Sequence, residues 1–343
     1  MRRVRSWVAA GLVCCVLCVV AAAQAVPART SAAAQAALPR PGSGQVPSTG
    51  SGPDGRVVAH VQNTGSRAQD VTGDDWPDLV ARQAGTGELL VYPHVGRWEG
   101  AGSWPTPVVA GHGWQIMDWI GLGEVTGDDW VDVIARRADD GVLLVYPHTG
   151  AFRGDQTWGD PVVVGHGWGG LRTILVQDVT LDGFDDLVVR WGRDGDDGTY
   201  VYVHSRTFQG VGTWGERERA GEHALDSWLM ATEWSGDDGP DLLHHNFELG
   251  TLFLSPHNRA YARENTWSSA PPIQVSGDQW FTYDKVDYLL LADADGDGYE
   301  DVLSRQVNGE LWAYLNTRRL DGAATLRPPV TIGWGWNTFD MIT

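Results

Sequence analysis

Asp293-Ala-Asp-Gly-Asp-Gly-Tyr-Glu-Asp301 packs five acids into nine residues, and four earlier stretches repeat its frame. They are Asp70-Val-Thr-Gly-Asp-Asp-Trp-Pro-Asp78, Glu124-Val-Thr-Gly-Asp-Asp-Trp-Val-Asp132, Asp178-Val-Thr-Leu-Asp-Gly-Phe-Asp-Asp186 and Glu233-Trp-Ser-Gly-Asp-Asp-Gly-Pro-Asp241. Their starts, at 70, 124, 178, 233 and 293, lie 54 to 60 residues apart. A nearly fixed period of this size signals a repeat architecture in which each unit buries its apolar faces against its neighbours.

Outward from the loops, each repeat has one grammar. A short apolar run follows the acids, as at Leu79-Val80-Ala81 and Val133-Ile134-Ala135. After a Gly-containing turn comes a β-branched and aromatic run, as at Leu89 to Tyr92 and Leu143 to Tyr146. A polar excursion then ends near Trp104, Trp158, Trp214 or Trp267. Further runs at Val108-Val109 and at Trp119 to Leu122 lead into the next loop. Four short strands per unit, with no helical period, predict an all-β fold: a five-bladed β-propeller of four-stranded blades. The last Gly-Trp pair, Gly335-Trp336, is followed by seven residues that match the approach to an acidic loop. Residues 337 to 343 are therefore expected to supply the strand before Asp70 and close the ring with the C-terminal strand. Val57-Val58-Ala59-His60 is a competing candidate for the same blade.

The loops and strands together resemble the FG-GAP/VCBS repeat proteins, calcium-decorated β-propellers that include the integrin α-head. The resemblance covers residues 70 to 343 and is closest to secreted actinobacterial members. It implies the fold and leaves function open, since that family includes adhesins, lectins and appendages to enzymes. Integrin-type propellers have seven blades, whereas five units stand here; lectins of tachylectin-2 type form five-bladed rings.

Residues 1 to 25 read as a signal peptide: Arg2, Arg3 and Arg5 precede an uncharged apolar stretch and the small-residue end Ala23-Gln24-Ala25, with an uncleaved membrane anchor over Ser6 to Ala25 as the rival reading. Residues 26 to 54, rich in Ala, Pro, Gly and Ser, read as a flexible linker, and 55 to 343 as the propeller. All three cysteines fall in the leader, so secretion would leave a chain without disulfides. Cleavage would also leave no membrane span and a net charge of -22, with 21 of the 44 acids inside the five loops. Such concentrated carboxylates call for cations and exclude nucleic acid as a partner, because no basic stripe faces phosphate.

Calcium takes six to eight oxygens, and loop positions one, three, five and nine with the position-seven carbonyl supply them. The fifth loop fits best, with Asp293, Asp295, Asp297, Asp301 and the Tyr299 carbonyl. The remaining candidate ligands are Asp70, Asp74 and Asp78; Glu124, Asp128 and Asp132; Asp178, Asp182 and Asp186; and Glu233, Asp237 and Asp241. These four loops carry Thr or Ser at position three, a weaker ligand. The alternative for every loop is a network of Asx turns without an ion.

Seventeen tryptophans follow the leader. Packing between sheets accounts for such repeated indoles more readily than recognition does. Candidate ligand-binding positions are His112-Gly-Trp114 and His166-Gly-Trp168, with Trp280 and Trp336 at matching places. A second set is His94 and His148, each in a Tyr-Pro-His motif, for which a satisfied strand-end histidine is the competing reading. No Gly-x-Ser-x-Gly, cysteine nucleophile or phosphate loop is present. Asp118 and Asp226 are conceivable glycosidase carboxylates at the channel, although neither repeats. The pattern favours a secreted, non-catalytic, multivalent binder of surface or polymer glycans. The resemblance permits a place in a larger secreted toxin-type assembly, with secreted protein partners. An integrin-like protein scaffold and a carbohydrate-active hydrolase or lyase are the rival classes.

Overall fold

The computed structural model describes residues 69–191, 198–222, 227–235, 239–246 and 248–343. The leader, the linker, Val57 to His60, Asp226 and Asp237 lie outside the described residues. Twenty strands form five four-stranded antiparallel sheets. Blade 2 shows the plan, with β4 (Met117–Gly123), β5 (Asp132–Arg137), β6 (Leu143–Tyr146) and β7 (Val162–Gly165) side by side in chain order. Blade 3 repeats it with β8 (Leu171–Gln177), β9 (Asp186–Trp191), β10 (Gly198–His204) and β11 (Trp214–Glu222). Blade 4 holds β12 (Ser227–Thr232), β13 (Asp241–Asn246), β14 (Thr251–Ser255) and β15 (Ile273–Gln274). Blade 5 holds β16 (Val286–Ala292), β17 (Asp301–Gln306), β18 (Leu311–Tyr314) and β19 (Val330–Gly333).

Blade 1 joins the two ends of the domain. Its order is β20 (Phe339–Ile342), β1 (Leu79–Gln83), β2 (Leu89–Tyr92) and β3 (Val108–Gly111). Ala81 stands opposite Ile342, and Val80 and Thr343 exchange two backbone hydrogen bonds of 2.7 Å. The C-terminal strand thus closes the ring in the place the sequence marked for it. Closure leaves no gap between first and last blade for an edge to pair through.

Alternation along the strands explains the core. Leu79 and Ala81 point toward blade 5, whereas Val80 points toward blade 2. A middle strand is therefore buried on both sides, and its sequence is continuously apolar rather than alternating. The first strands touch in turn around the axis: β4 with β8, β8 with β12, β12 with β16.

An up-and-down meander sorts its connections onto two faces. The acidic loops and the long excursions between third and fourth strands share one. The tight turns between second and third strands share the other with the crossings from blade to blade. One strand escaped the sequence grammar: β11 reads Trp-Gly-Glu-Arg-Glu-Arg-Ala-Gly-Glu, without an apolar run. Among the described residues no helix is long and apolar enough to cross a membrane.

Candidate functional site

Each acidic loop is folded by its own carboxylates. Asp70 accepts the amides of Gly73, Asp74 and Asp75 at 2.7 to 3.0 Å. Asp178 and Asp293 do the same for the residues four and five places on. The position-five acids Asp74, Asp128, Asp182 and Asp297 each receive the amide two residues later.

Position nine has a different task from the one expected. Asp78, Asp132, Asp186, Asp241 and Asp301 are fully buried. One oxygen of Asp132 accepts Val125 and Thr126 at 3.0 Å; the other accepts His148 at 2.8 Å. Asp301 likewise takes Ala294 and Asn316. These acids tie the loop to the end of the third strand, and their oxygens face amides. Burial pushes Asp78, Asp132 and Asp186 up to about 7 and Asp241 to about 6. Asp185, which accepts the Glu124 amide across the blade boundary at 2.7 Å, is pushed by burial to about 8.

A calcium ion suits position three better. Asp293, Asp295 and Asp297 bring carboxylate oxygens within 4.8 Å of one another. Asp295 Oδ1 is buried and bonded to nothing, as are the hydroxyls of Thr72 and Thr126 at the same position and Glu124 Oε2. A buried oxygen without a partner, recurring at one loop position, fits an oxygen-liganded cation. Arginine competes for part of this charge: Arg318 Nε lies 2.6 Å from Asp297 Oδ2, and Arg206 Nε 2.6 Å from Asp182 Oδ2.

The loops also lock to one another. A Cβ on Gly73 would stand 2.6 Å from the Trp130 ring of the next loop, and Gly296 meets Trp76 in the same way. Where the next loop offers Gly239 instead of a ring, Leu181 replaces the glycine. His94 and His148 belong to this belt and not to a ligand site. They are 3 % and 4 % exposed, stacked 4.6 Å from Trp76 and Trp130. The Gly150 amide donates to His148 Nδ1 at 3.0 Å, which leaves the proton on Nε2, 3.2 Å from the Val71 carbonyl of the preceding blade. His204 repeats the contact to Val125 at 3.1 Å. His94 faces the Ala294 carbonyl without reaching good hydrogen-bond geometry. Burial lowers all three, His94 to about 4.

On the crossing face the expected residues divide. Trp114, Trp168 and Trp336 are buried and Trp280 half-buried. Each packs on the third-strand tyrosine of the blade that follows, for example Trp114 on Tyr146 with centroids 4.7 Å apart. They are wedges between blades and offer no sugar platform. His112 and His166 are exposed, with His112 3.4 Å from Asp155 and 3.7 Å from Glu88. Trp334, two residues before Trp336, is 66 % exposed.

Sequence reading missed what holds the crossings. Arg82, Arg136 and Arg305 are buried and stand four residues after the last acid of their loops. Arg136 Nη1 donates to the Trp168 and Leu171 carbonyls at 3.1 and 3.0 Å. Its Nε meets Asp118 at 2.7 Å, and Arg305 meets Asp287 at 2.8 Å. Asp118, Asp287 and Asp340 occupy bulges in the innermost strands that turn them toward these arginines. Asp118 is therefore half of a structural ion pair, which corrects its candidacy as a hydrolase carboxylate.

On the outer edge between blades 3 and 4 lies a groove of about 660 Å³, lined by Glu216 to Arg219 and Ala262 to Asn265. Its charges are paired in place, Arg219 with Glu264 and Arg263 with Glu218.

The geometry defines a closed five-bladed β-propeller with a loop face and a crossing face. No family model matches the chain. No curated protein matches it either. Solved structures do, among them BBS1N crystallised in complex with ARL6DN, at 11% identity over 80% of this chain and 84% of that one, with a TM-score of 0.37. The fold assignment rests on the strand pairing described above.

Proposed function

We propose that this chain is a secreted, non-catalytic binding module that presents its crossing face to glycans of a cell surface or polymer. The observation that carries the reading is the repeated crossing Gly-x-Gly-Trp. Gly113, Gly167 and Gly335, at φ 78 to 81°, let the chain turn sharply. The tryptophan that ends the motif drops inward as a wedge, and His112, His166 or Trp334 two residues before it is raised into solvent. Imidazole can hydrogen-bond sugar hydroxyls, and an indole can cover the apolar face of a pyranose. Several such tips on one rigid ring add avidity.

Calcium is the proposed cofactor, held by Asp293, Asp295 and Asp297 with the Tyr299 carbonyl, and more weakly in the other loops. Its chemistry there is charge neutralisation and stiffening. The non-catalytic reading draws on the commitment of the loop acids to backbone amides and of Asp118 to Arg136. The resemblance to FG-GAP/VCBS repeats agrees with the calcium proposal and leaves catalysis open.

A glycan array run with and without chelator tests the proposal. Binding to one glycan class, weakened in the His112→Ala/His166→Ala/Trp334→Ala variant, is expected. Silence across neutral and acidic glycans by a folded, calcium-loaded protein would falsify it.

A further inference from the structure

We infer that the crossing from blade 5 to blade 1 holds the dominant sugar subsite, with Trp334 as the stacking platform and Asn337 as the hydroxyl-recognising group, for a neutral hexopyranose. The inference rests on the glycan reading above and narrows it from several equivalent tips to one.

Among the tryptophans whose burial is described, Trp334 is the one exposed, at 66 %. A bare indole forgoes burial worth roughly 25 cal/mol per Å² of apolar surface, and its flat apolar ring is the kind of face a pyranose covers. Its counterparts in three of the four other crossings, His112, His166 and Asp278, have no comparable apolar face. The backbone two residues beyond the platform is anchored. Trp336 donates its amide to the Gly309 carbonyl at 2.9 Å, and its own carbonyl accepts Arg305 Nη1 at 3.3 Å. A binding group whose backbone is already fixed loses less entropy on capture.

Asn337 lies one residue beyond the wedge, exposed, against Gly309 of the neighbouring turn. Its amide has no hydrogen-bond partner among the described residues and offers both donors and acceptors, as a hydroxyl pair requires. Gln115 is its counterpart in blade 1 and Gly169 in blade 2. Among the described crossings, the last alone sets an exposed indole beside such an amide.

The surroundings select a neutral ligand. Residues 333 to 339 contain no cation, and the nearby Arg82 is occupied by Asp340 through two contacts of 2.7 Å. A chain this acidic repels anionic glycans at long range. The apolar surround is slight, with Val307 on the adjoining turn 41 % exposed.

The test compares the calcium-loaded wild type, Trp334→Ala, Asn337→Ala and His112→Ala/His166→Ala on neutral gluco-, galacto- and manno-oligosaccharides and on sialylated and sulfated ones. Expected is neutral-sugar binding that falls roughly tenfold or more in Trp334→Ala, less in Asn337→Ala, and little in the double histidine variant. Unchanged melting midpoints in all three variants would show that the losses are local. Retained binding in Trp334→Ala, or loss confined to the histidine variant, overturns this inference and leaves the glycan reading standing. Binding to acidic sugars alone overturns the ligand class. A wild type that binds no sugar, with Trp334→Ala changing only its sedimentation, makes the indole a contact between copies and overturns both.

Discussion

The two faces of the ring use similar side chains in opposite ways. On the loop face, aromatic rings, histidines and acids satisfy one another: Trp130 stacks on His148, His148 reaches Val71, and Asp132 gathers three amides. On the crossing face the same residue types alternate between wedge and tip, so that Trp336 is 6 % exposed while Trp334 is 66 %. A residue type at a repeated position therefore says little about function until its neighbours on the adjacent blade are known.

The contrast can be broken most severely at a wedge. Trp114→Ala or Trp168→Ala should cost about 3–5 kcal/mol, the range for emptying a buried indole, and lower the denaturant midpoint accordingly. On the loop face, Asp132→Ala strands the amides of Val125, Thr126 and His148, and about 3 kcal/mol is expected by the same measurement.

Next in size is a pH effect confined to the loop face. Above pH 6.5 the lowered histidines are neutral in both folded and unfolded chains, and their contribution is fully present. The raised carboxylates act in the other sense. Their protonated forms favour the fold, and that contribution disappears as pH climbs through about 7 for Asp78, Asp132 and Asp186 and about 8 for Asp185. In chelator, the melting midpoint should therefore drop between pH 6.5 and 8.5, and Asp185→Asn should flatten the drop. A flat profile in the wild type would contradict the burial of these acids. Smallest is His112→Ala, an exposed tip, which should stay within about 0.5 kcal/mol of wild type while reducing ligand capture.

The ring was readable because its determinants are local and repeated: acids at fixed loop positions, then an apolar run, a turn and a β-branched run. The closing strand was readable for the same reason, through its distance from Trp336. Strand β11 was not, because residues on both of its faces, Glu216, Arg217 and Arg219, reach solvent and no apolar run marks it. The Arg136–Asp118 pair was hidden by a bulge, which no alternation pattern reveals. His94 and His148 looked like ligand groups because their partners, Ala294 and Val71, lie in the neighbouring blade, far away along the chain. Trp334 and Trp336 flank Gly335, and packing on Tyr92 of the next blade takes Trp336 inward.

The most direct measurement is the drop in melting midpoint on adding chelator, taken for wild type, Asp295→Ala and Trp334→Ala. If the loop face is stiffened by cations and the crossing face is free for ligand, wild type and Trp334→Ala should fall equally and Asp295→Ala should fall less. No drop in the wild type, or a drop reduced by Trp334→Ala and untouched by Asp295→Ala, would contradict that division between the faces.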